Sequence, residues 1–483
     1  MRIVPPAEEG AHDEEWERAG CEACEERQRE LERLEQENER LKRRLWDLTA
    51  QLEQAQQAGK RQAAPFSKSE PRGDGKRPGR QAGSAYGRKA CRAIPAQVDR
   101  TIDVPLPPCC PHCGGPLEEQ QVAEQYQEEL PEVRPEVTRF QMHVGRCQRC
   151  GRRVQGRHPE QTSDALGAAK AQLGPRAVAL AAQLNKAVGA SLGKTATILQ
   201  QLGGLEVTRG GLSQALARAG RMAGPTYDAL IQAVRASPVV APDETGWKVG
   251  GRLHWLWVFS GQGVTVYSIQ PGRGFDEAAA ILGKEFNGVL ERDGWAPYRR
   301  FSQATHQTCT AHLMRRCRQL LTTAHGRARE IPLAVRRLLR EGLDLRQQRD
   351  AGSLPVVAYE AAVADVEHRV DRLLAKQTQH PGNRRLLQHL RRERQALFTY
   401  LHHEGVQATN WRAEQAIHPA VVNRKVWGGN RTPAGVETQQ VLASLLRTCQ
   451  QQGRDSTEII ADLLRAPIPL VAPLQFPIFA GHA

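Results

Sequence analysis

The sequence predicts a multidomain α+β protein. Three observations carry that expectation: a leucine heptad near the N-terminus, two Cys-x-x-Cys pairs at zinc-ribbon spacing, and an abrupt change near residue 238 from Ala/Leu-rich helical pattern to β-branched and aromatic runs. At 483 residues the chain is long enough for several domains and a sizeable core. It carries 67 Lys+Arg against 53 Asp+Glu, a net charge of +14, and its sequence pI is about 9.5. That balance favours a polyanionic partner, nucleic acid first and an anionic membrane second. No run of about 18 apolar residues is present, so no membrane span is expected. The acidic opening MRIVPPAEEGAHDEE has no apolar stretch and is not a signal peptide. Six of the eleven cysteines form three Cys-x-x-Cys pairs. Without a secretion signal, that pattern predicts metal binding in a reducing compartment rather than disulfides.

The first element, within residues 1–58, is a helix from about Cys24 to Ala58. Leu31, Leu34, Leu41, Leu45, Leu48 and Leu52 alternate by three and four, which places them at heptad positions a and d; Asn38 is the break, at a. A lone Asn at a fixes register and favours a two-stranded coil, so the expectation is a homodimer or higher oligomer through this coiled coil. The alternative is one amphipathic helix docked on its own chain. Residues 59–108 change character: GKRQAAPFSKSEPRGDGKRPGRQAGSAYGRKACR is rich in Gly, Pro, Lys and Arg and too poor in apolar residues to offset its ordering entropy. It reads as a basic flexible linker, either a plain tether or a tail that tracks DNA phosphates.

Residues 109–160 contain CPHCGG and CQRCG, with 33 residues between Cys113 and Cys147. Cys110, Cys113, Cys147 and Cys150 have the pattern of a tetrahedral zinc ribbon, a structural Zn²⁺ in a DNA-binding module. Glycine after each pair permits the tight turn that aims two thiolates at one metal. Strand-like stretches such as Val133 to Val144 are expected between the pairs. Cys109 reads as a packing neighbour, and Cys21/Cys24 as part of the coil and surface. Residues 161–236 are a helical region, broken by short Gly turns. SLGKTATILQQLGG followed by LEVTRGGLSQALARAG has a helix–turn–helix outline with Thr208 as the second helix's cap; simple helical packing explains it equally well.

From 237 to 325 the pattern is three strands (PVVAPDETGWKVG, RLHWLWVFS, GVTVYSIQ), a helix (FDEAAAILG), a short strand ending at Asp293, then a strand–helix pair. Gly250-Gly251 marks a hairpin. This is the element order of a ribonuclease-H-like fold. In that order Asp243 on the first strand and Asp293 at the end of the fourth lie side by side. A third carboxylate is expected from a later helix, and Glu414 in NWRAEQAIHP fits, in a short helical stretch that Pro419 helps to end. Three acids suit two Mg²⁺ (or Mn²⁺) ions, which clamp the attacking and leaving oxygens of an in-line phosphoryl displacement. Glu244 should face away from Asp243 across the strand. Glu291 shares a face with Asp293 and is its rival.

PDETGWKVGGRLHWLWVF, ERDGWAPY, QTCTAHLMRR and AEQAIHPAVVNRKVWGGNRTPAG together resemble the IS-sixty-six family of bacterial insertion-sequence transposases, over nearly the whole chain. The resemblance implies a DDE catalytic core with Asp243, Asp293 and Glu414 as the acids. It implies a helical insertion at 326–405, the second part of the core at 406–440 and a C-terminal element at 441–483. Cys309 and His312 match the family's Cys-x-x-His signature, which supports the core; taken alone they read as a packing Cys and a helix-start His, and no zinc is assigned to them. Asn410-Trp411, Gln415 and His418 depart from the commonest family pattern and bear on how DNA is contacted beside Glu414. Arg424, Lys425 and Arg431 are the phosphate-contact candidates.

The function implied is binding of terminal inverted repeats of double-stranded DNA, cleavage, and strand transfer into a target, in the cytoplasm of a bacterium and associated with its nucleoid. Small accessory proteins of the same element are possible partners, and a membrane is not expected. Two alternatives stand: a catalytically silent DNA-binding protein derived from a transposase, and a metal-dependent nuclease that cuts without joining.

Overall fold

The computed structural model describes residues 26–41, 44–45, 47–48, 51, 92–162 and 171–476. The chain divides into two units, Met1–Val133 and Arg134–Ala483. In the first, residues 26–41 are helical (α1), with Leu31, Leu34 and Leu41 exposed. Leu52 and most of the basic linker lie outside the described residues. Residues 92–133 hold no helix or strand.

The second unit opens on a two-stranded antiparallel ribbon, β1 (Val144–Arg146) and β2 (Arg153–Gln155), which frames Cys147 and Cys150. Of the stretch expected as a strand, Val133 to Val144, only Val144 is in one, as the first of the three residues Val144–Arg146. Alternating apolar residues alone do not make a strand: the amides need a neighbour, and among the described residues of this unit β2 pairs only with those three. Four helices follow: α2 (Pro175–Ala182), extended by a π-helical turn (Gln183–Ala187), α3 (Leu192–Gly203), α4 (Arg209–Met222) and α5 (Gly224–Arg235). Thr208 caps α4 as the sequence signals, accepting from the Gly211 amide, and Ser191 caps α3 in the same way, accepting from the Lys194 amide.

A five-stranded mixed sheet forms the centre. Its strands are β3 (Val239–Val249), β4 (Arg252–Ser260), β5 (Thr265–Gln270), β6 (Val289–Arg292) and β7 (Thr305–Thr308), in the order β5-β4-β3-β6-β7. The first three are antiparallel, and β6 and β7 run parallel to β3. Gly250 and Gly251 make the two-residue turn between β3 and β4 with φ of 55° and 81°, values that favour glycine. Helix α6 (Phe275–Leu282) links β5 to β6.

The sheet's alternation feeds two cores. Trp257, Phe259 and Val266 pack with Leu212, Leu216, Leu230 and Ile281 on one face. Leu256, Val258, Tyr267 and Ile269 pack with Ala413, Ala416, Ile417 and Ala420 on the other. After β7 come α7 (Thr310–Leu321), then α8 (Glu330–Asp350), α9 (Val356–Leu374), α10 (Pro381–Arg392) and the short α11 (Thr399–His402), which share a third core with Leu313 and Cys317 of α7.

Helix α12 (Trp411–Trp427) carries Glu414 in its first turn and contains Pro419 in its interior. The expectation that Pro419 helps to end a short helix is corrected: the helix runs eight residues further, to Trp427, and is capped by Gly428. Proline removes one amide and strains one turn, but Ala413, Ala416, Ile417 and Ala420 are buried along one stripe against the sheet, and that burial holds both halves in line. Beyond the helix, Gly429 has φ 122°, and a Cβ there would lie 2.3 Å from the Lys248 carbonyl oxygen. This close approach lets Asn430 bond β3: its amide donates to Lys248 O, and Trp247 Nε1 donates to its side-chain oxygen.

Helices α13 (Pro433–Gln451) and α14 (Ser456–Arg465) complete the unit. Helix α13 lies along the edge strand β5. The amides of Thr265, Tyr267 and Ile269 donate to the side chains of Thr448, Ser444 and Gln440, residues one helical turn apart on α13.

Candidate active site

β3 and β6 are parallel neighbours, with Val239 opposite Val289 and Val240 opposite Leu290. Four residues beyond Val239 is Asp243; four beyond Val289 is Asp293. The shared offset brings the two carboxylates to the same level of adjacent strands. Asp243 is half-buried on the central strand, where its Oδ1 accepts from the Glu244 amide at 2.8 Å. Burial, then the negative charges of Glu244, Asp293 and Glu414, push its carboxyl up to about 7. Asp293 Oδ1 accepts from the Trp295 amide at 2.8 Å, which turns the chain sharply after β6. Among the described residues, neither Asp243 nor Asp293 forms an ion pair. Glu414 reaches the group from α12, half-exposed. The structure therefore brings all three sequence-predicted acids into one electrostatic neighbourhood with an open side. All-oxygen donors and uncompensated negative charge are what a hard divalent cation requires.

The two neighbouring glutamates differ. Glu244 points to the opposite side of β3, where Tyr298 donates its hydroxyl to Oε2 and Arg273 binds Oε1 at 2.7 and 2.8 Å. The Arg273 guanidinium is itself sandwiched between the rings of Trp255 and Trp295, at 4.6 and 4.0 Å from their centroids. Burial raises the Glu244 carboxyl, while Tyr298 and Arg273 oppose the shift. Glu291 is buried, and its Oε1 accepts the Gln407 amide. Burial raises it to about 7, and none of the three acids is among the charges that shift it. It serves the loop before α12 and does not join Asp293.

Sequence reasoning missed the residues that hold this arrangement. Arg292, buried on β6, donates to the Asp293 carbonyl oxygen, to Thr308 and to Glu393 at the end of α10; Arg299 donates to the Gly294 carbonyl oxygen and to Glu393. The signal was present in ERD: an arginine at an apolar strand position must find a counter-charge. Its partner, 101 residues away, has no sequence mark.

The remaining candidates are placed as follows. Cys309 is buried at the start of α7, and His312 lies in its first turn, 3.8 Å from Glu414. Arg424 is committed to β3, donating to Thr245 Oγ1 at 3.0 Å and to the Gly246 carbonyl oxygen. Lys425 and Arg431 are exposed. Cys110 and Cys113 stand in the first unit, Cys147 and Cys150 in the second. Each pair closes the same turn: the amide after the second cysteine returns to the first cysteine's carbonyl oxygen at 2.8 Å, through Gly114 or Gly151. Amide donors within each turn lower the Cys110 and Cys147 thiols, which favours thiolate and suits a metal.

Comparison with known proteins gives the class first: a transposase. Residues 170–438 match the transposase IS66 family. That is more than half of the chain, and the chain belongs to this family. It is also 25% identical over 292 residues to the uncharacterized protein y4qI of Sinorhizobium fredii, an alignment covering 54% of this chain and 53% of that one. The chain thus spans about half the length of that relative. No helix among the described residues is long and apolar enough to cross a membrane.

Proposed function

We propose that the chain is a DDE transposase with a ribonuclease-H-like core, in which Asp243, Asp293 and Glu414 hold two Mg²⁺ or Mn²⁺ ions. The observation that carries this reading is Asp243, raised to about 7 by burial and by three neighbouring carboxylates. Carboxylates crowded together and partly shielded from water are costly unless a cation neutralises them. The sheet order and the matched offset of Asp243 and Asp293 support the same reading. When bound, the ions would supply an activated water or 3′-hydroxyl and stabilise the leaving oxyanion. The protein's own part is positional. Trp295 and Glu244 amides orient two carboxylates, Arg292 and Arg299 fix the turn beneath Asp293, and α12 delivers Glu414.

The substrate proposed is double-stranded DNA, at the element's ends and at a target. Lys425, Arg431 and the basic linker would contact phosphates; Arg424 acts by docking α12 on β3. The two cysteine knuckles are proposed to supply one structural zinc, and residues 1–58 a dimerising coil. Association with the bacterial nucleoid and small accessory proteins of the same element complete the reading. The test is nicking of an end-containing duplex by Asp243→Asn, Asp293→Asn and Glu414→Gln, with binding measured in parallel. Each should lose about a thousandfold or more while still binding, because metal stabilisation is worth several kcal/mol and each 1.36 kcal/mol is about tenfold in rate. Normal cutting by all three would defeat the reading. Cutting without joining would favour a nuclease, and binding without cutting by the wild type a silent DNA-binding copy.

A further inference from the structure

Beside the acid cluster lies a second set of donors, of which the two-metal reading uses only Glu414. Cys309 Sγ, one ring nitrogen of His312 and one carboxylate oxygen of Glu414 all lie within 4.8 Å of one another. They come from two elements that meet there: Cys309 caps α7, His312 is in its first turn, and Glu414 is in the first turn of α12. The Cys309 amide donates to the Arg292 carbonyl oxygen, and the Thr310 amide to that of Ala408, so the α7 start is pinned both to β6 and to the chain leading into α12.

Two buried polar atoms at this junction lack a partner: His312 Nδ1 and Asn410 Oδ1. Asn410 is 1% exposed and immediately precedes α12, and its backbone amide faces the Cys309 sulfur. Buried polar atoms are nearly always hydrogen-bonded, and an orphan calls for an occupant. An imidazole nitrogen 3.8 Å from a carboxylate oxygen is too far for a hydrogen bond. It is the separation of two ligands on one ion: donors around a tetrahedral zinc, with bonds of about 2.0–2.3 Å, stand about 3.3–3.8 Å apart.

We propose that Cys309, His312 and Glu414 form a binding site for a single divalent transition ion of the zinc type, distinct from the all-oxygen sites expected on Asp243 and Asp293. The donor set is sulfur, nitrogen and oxygen, which selects a borderline ion over Mg²⁺. Three protein ligands leave one position, open on the half-exposed His312 and Glu414 side, for water or a phosphate oxygen. Binding replaces the Cys309 Sγ–H bond with an Sγ–metal bond and releases that proton to solvent. Glu414 then becomes a shared carboxylate: one oxygen is tied to the transition ion, and the other stays available to the acid cluster. The proposal shares Glu414 with the function proposed above but does not depend on the roles of Asp243 and Asp293.

The experiment is a titration of the full, metal-stripped chain with Co²⁺ alone, read by visible and near-ultraviolet absorption and by bound-metal stoichiometry. The cysteine knuckles contribute their own thiolate bands, so the reading is the difference between wild type and Cys309→Ser. We expect wild type to bind one more equivalent, with a thiolate-to-cobalt band and tetrahedral d–d bands in that difference. Half-exposed His312→Asn should weaken the extra equivalent at least tenfold, and Asp243→Asn should leave it in place. Equal stoichiometry and a flat difference spectrum would overturn the site. Should Cys309→Ser not fold, His312→Asn decides: an unchanged titration rejects the proposal, and loss of one equivalent sustains it. Loss of the band in Asp243→Asn would also reject it, because the ion would then belong to the acid cluster.

Discussion

Arg292 and Glu393 form an ion pair closed off from solvent, with 2.5 Å between Nη1 and Oε2. The pair joins β6, the strand that leads into Asp293, to the end of a helix some hundred residues later. Glu393 also binds Arg299 at 3.0 Å and accepts from Thr308 at 2.6 Å, and together these neighbours hold its carboxyl below the usual range against the effect of burial.

Removing one partner of such a pair strands the other's charge. Glu393→Gln should cost about 3–5 kcal/mol and slow nicking, because Arg292 and Arg299 would no longer hold the Asp293 and Gly294 carbonyls in place. Replacing both Arg292 and Glu393 with Met should restore much of the thermal midpoint without restoring the rate. Recovery of both together would make the pair purely structural.

The proposed metal role of Asp243 predicts a pH dependence. Its carboxyl sits at about 7 in the metal-free protein, and a cation must displace that proton. Apparent Mg²⁺ affinity should be flat above pH 7 and fall by about tenfold per unit below it. Mg²⁺ titrations of nicking at pH 6 and pH 8 measure this. Equal midpoints at both pH values would remove Asp243 from the ligand set.

Glu291 makes a stability prediction of a definite sign. Burial raises it from 4.5 to about 7, so its stabilising contribution is complete below about 4.5 and is lost as pH rises through 7. The loss is about 3 kcal/mol at 1.36 kcal/mol per unit. Glu291→Gln keeps an acceptor for the Gln407 amide and removes the titration. Its melting temperature should gain on wild type between pH 5 and pH 8, a gap that calorimetry at the two values will show. A constant gap would contradict the assignment.

DNA binding should weaken steeply with salt as Lys and Arg displace counterions from phosphates. Deleting residues 60–92 should flatten the slope of log affinity against log salt. An unchanged slope makes that segment a tether.

Deleting residues 1–58 should lower the oligomeric state in sedimentation, because the Leu31, Leu34 and Leu41 stripe has a second helix as its natural partner. The same assembly before and after deletion would place the interface elsewhere.

The legibility of this chain follows the range of its interactions. Local signals read well: the Gly250-Gly251 hairpin, the Thr208 cap, and the strand that begins just after Pro238 are all written in adjacent residues. Asp243 and Asp293 were legible as candidates because each stands at or beyond the end of an apolar strand run. What failed depended on tertiary support. Pro419 looks like a stop until the sheet that carries α12 is present, and Val133 to Val144 looks like a strand until a neighbour is sought. Glu393, Tyr298 and Arg273 look like surface residues in the sequence, and only packing gives them their partners.

The side chains of Gln440, Ser444 and Thr448 that close off β5 come from the far end of the chain: Ser444 and Tyr267 are 177 residues apart. During synthesis at about 5–20 residues per second, this border of the sheet stays uncovered for many seconds, with amides unmet and an aromatic-rich strand beside them. An open border of that kind recruits other strands. Chains that terminate before α13 should therefore precipitate rather than persist as shortened fragments, so that solubility itself depends on the last helices being made.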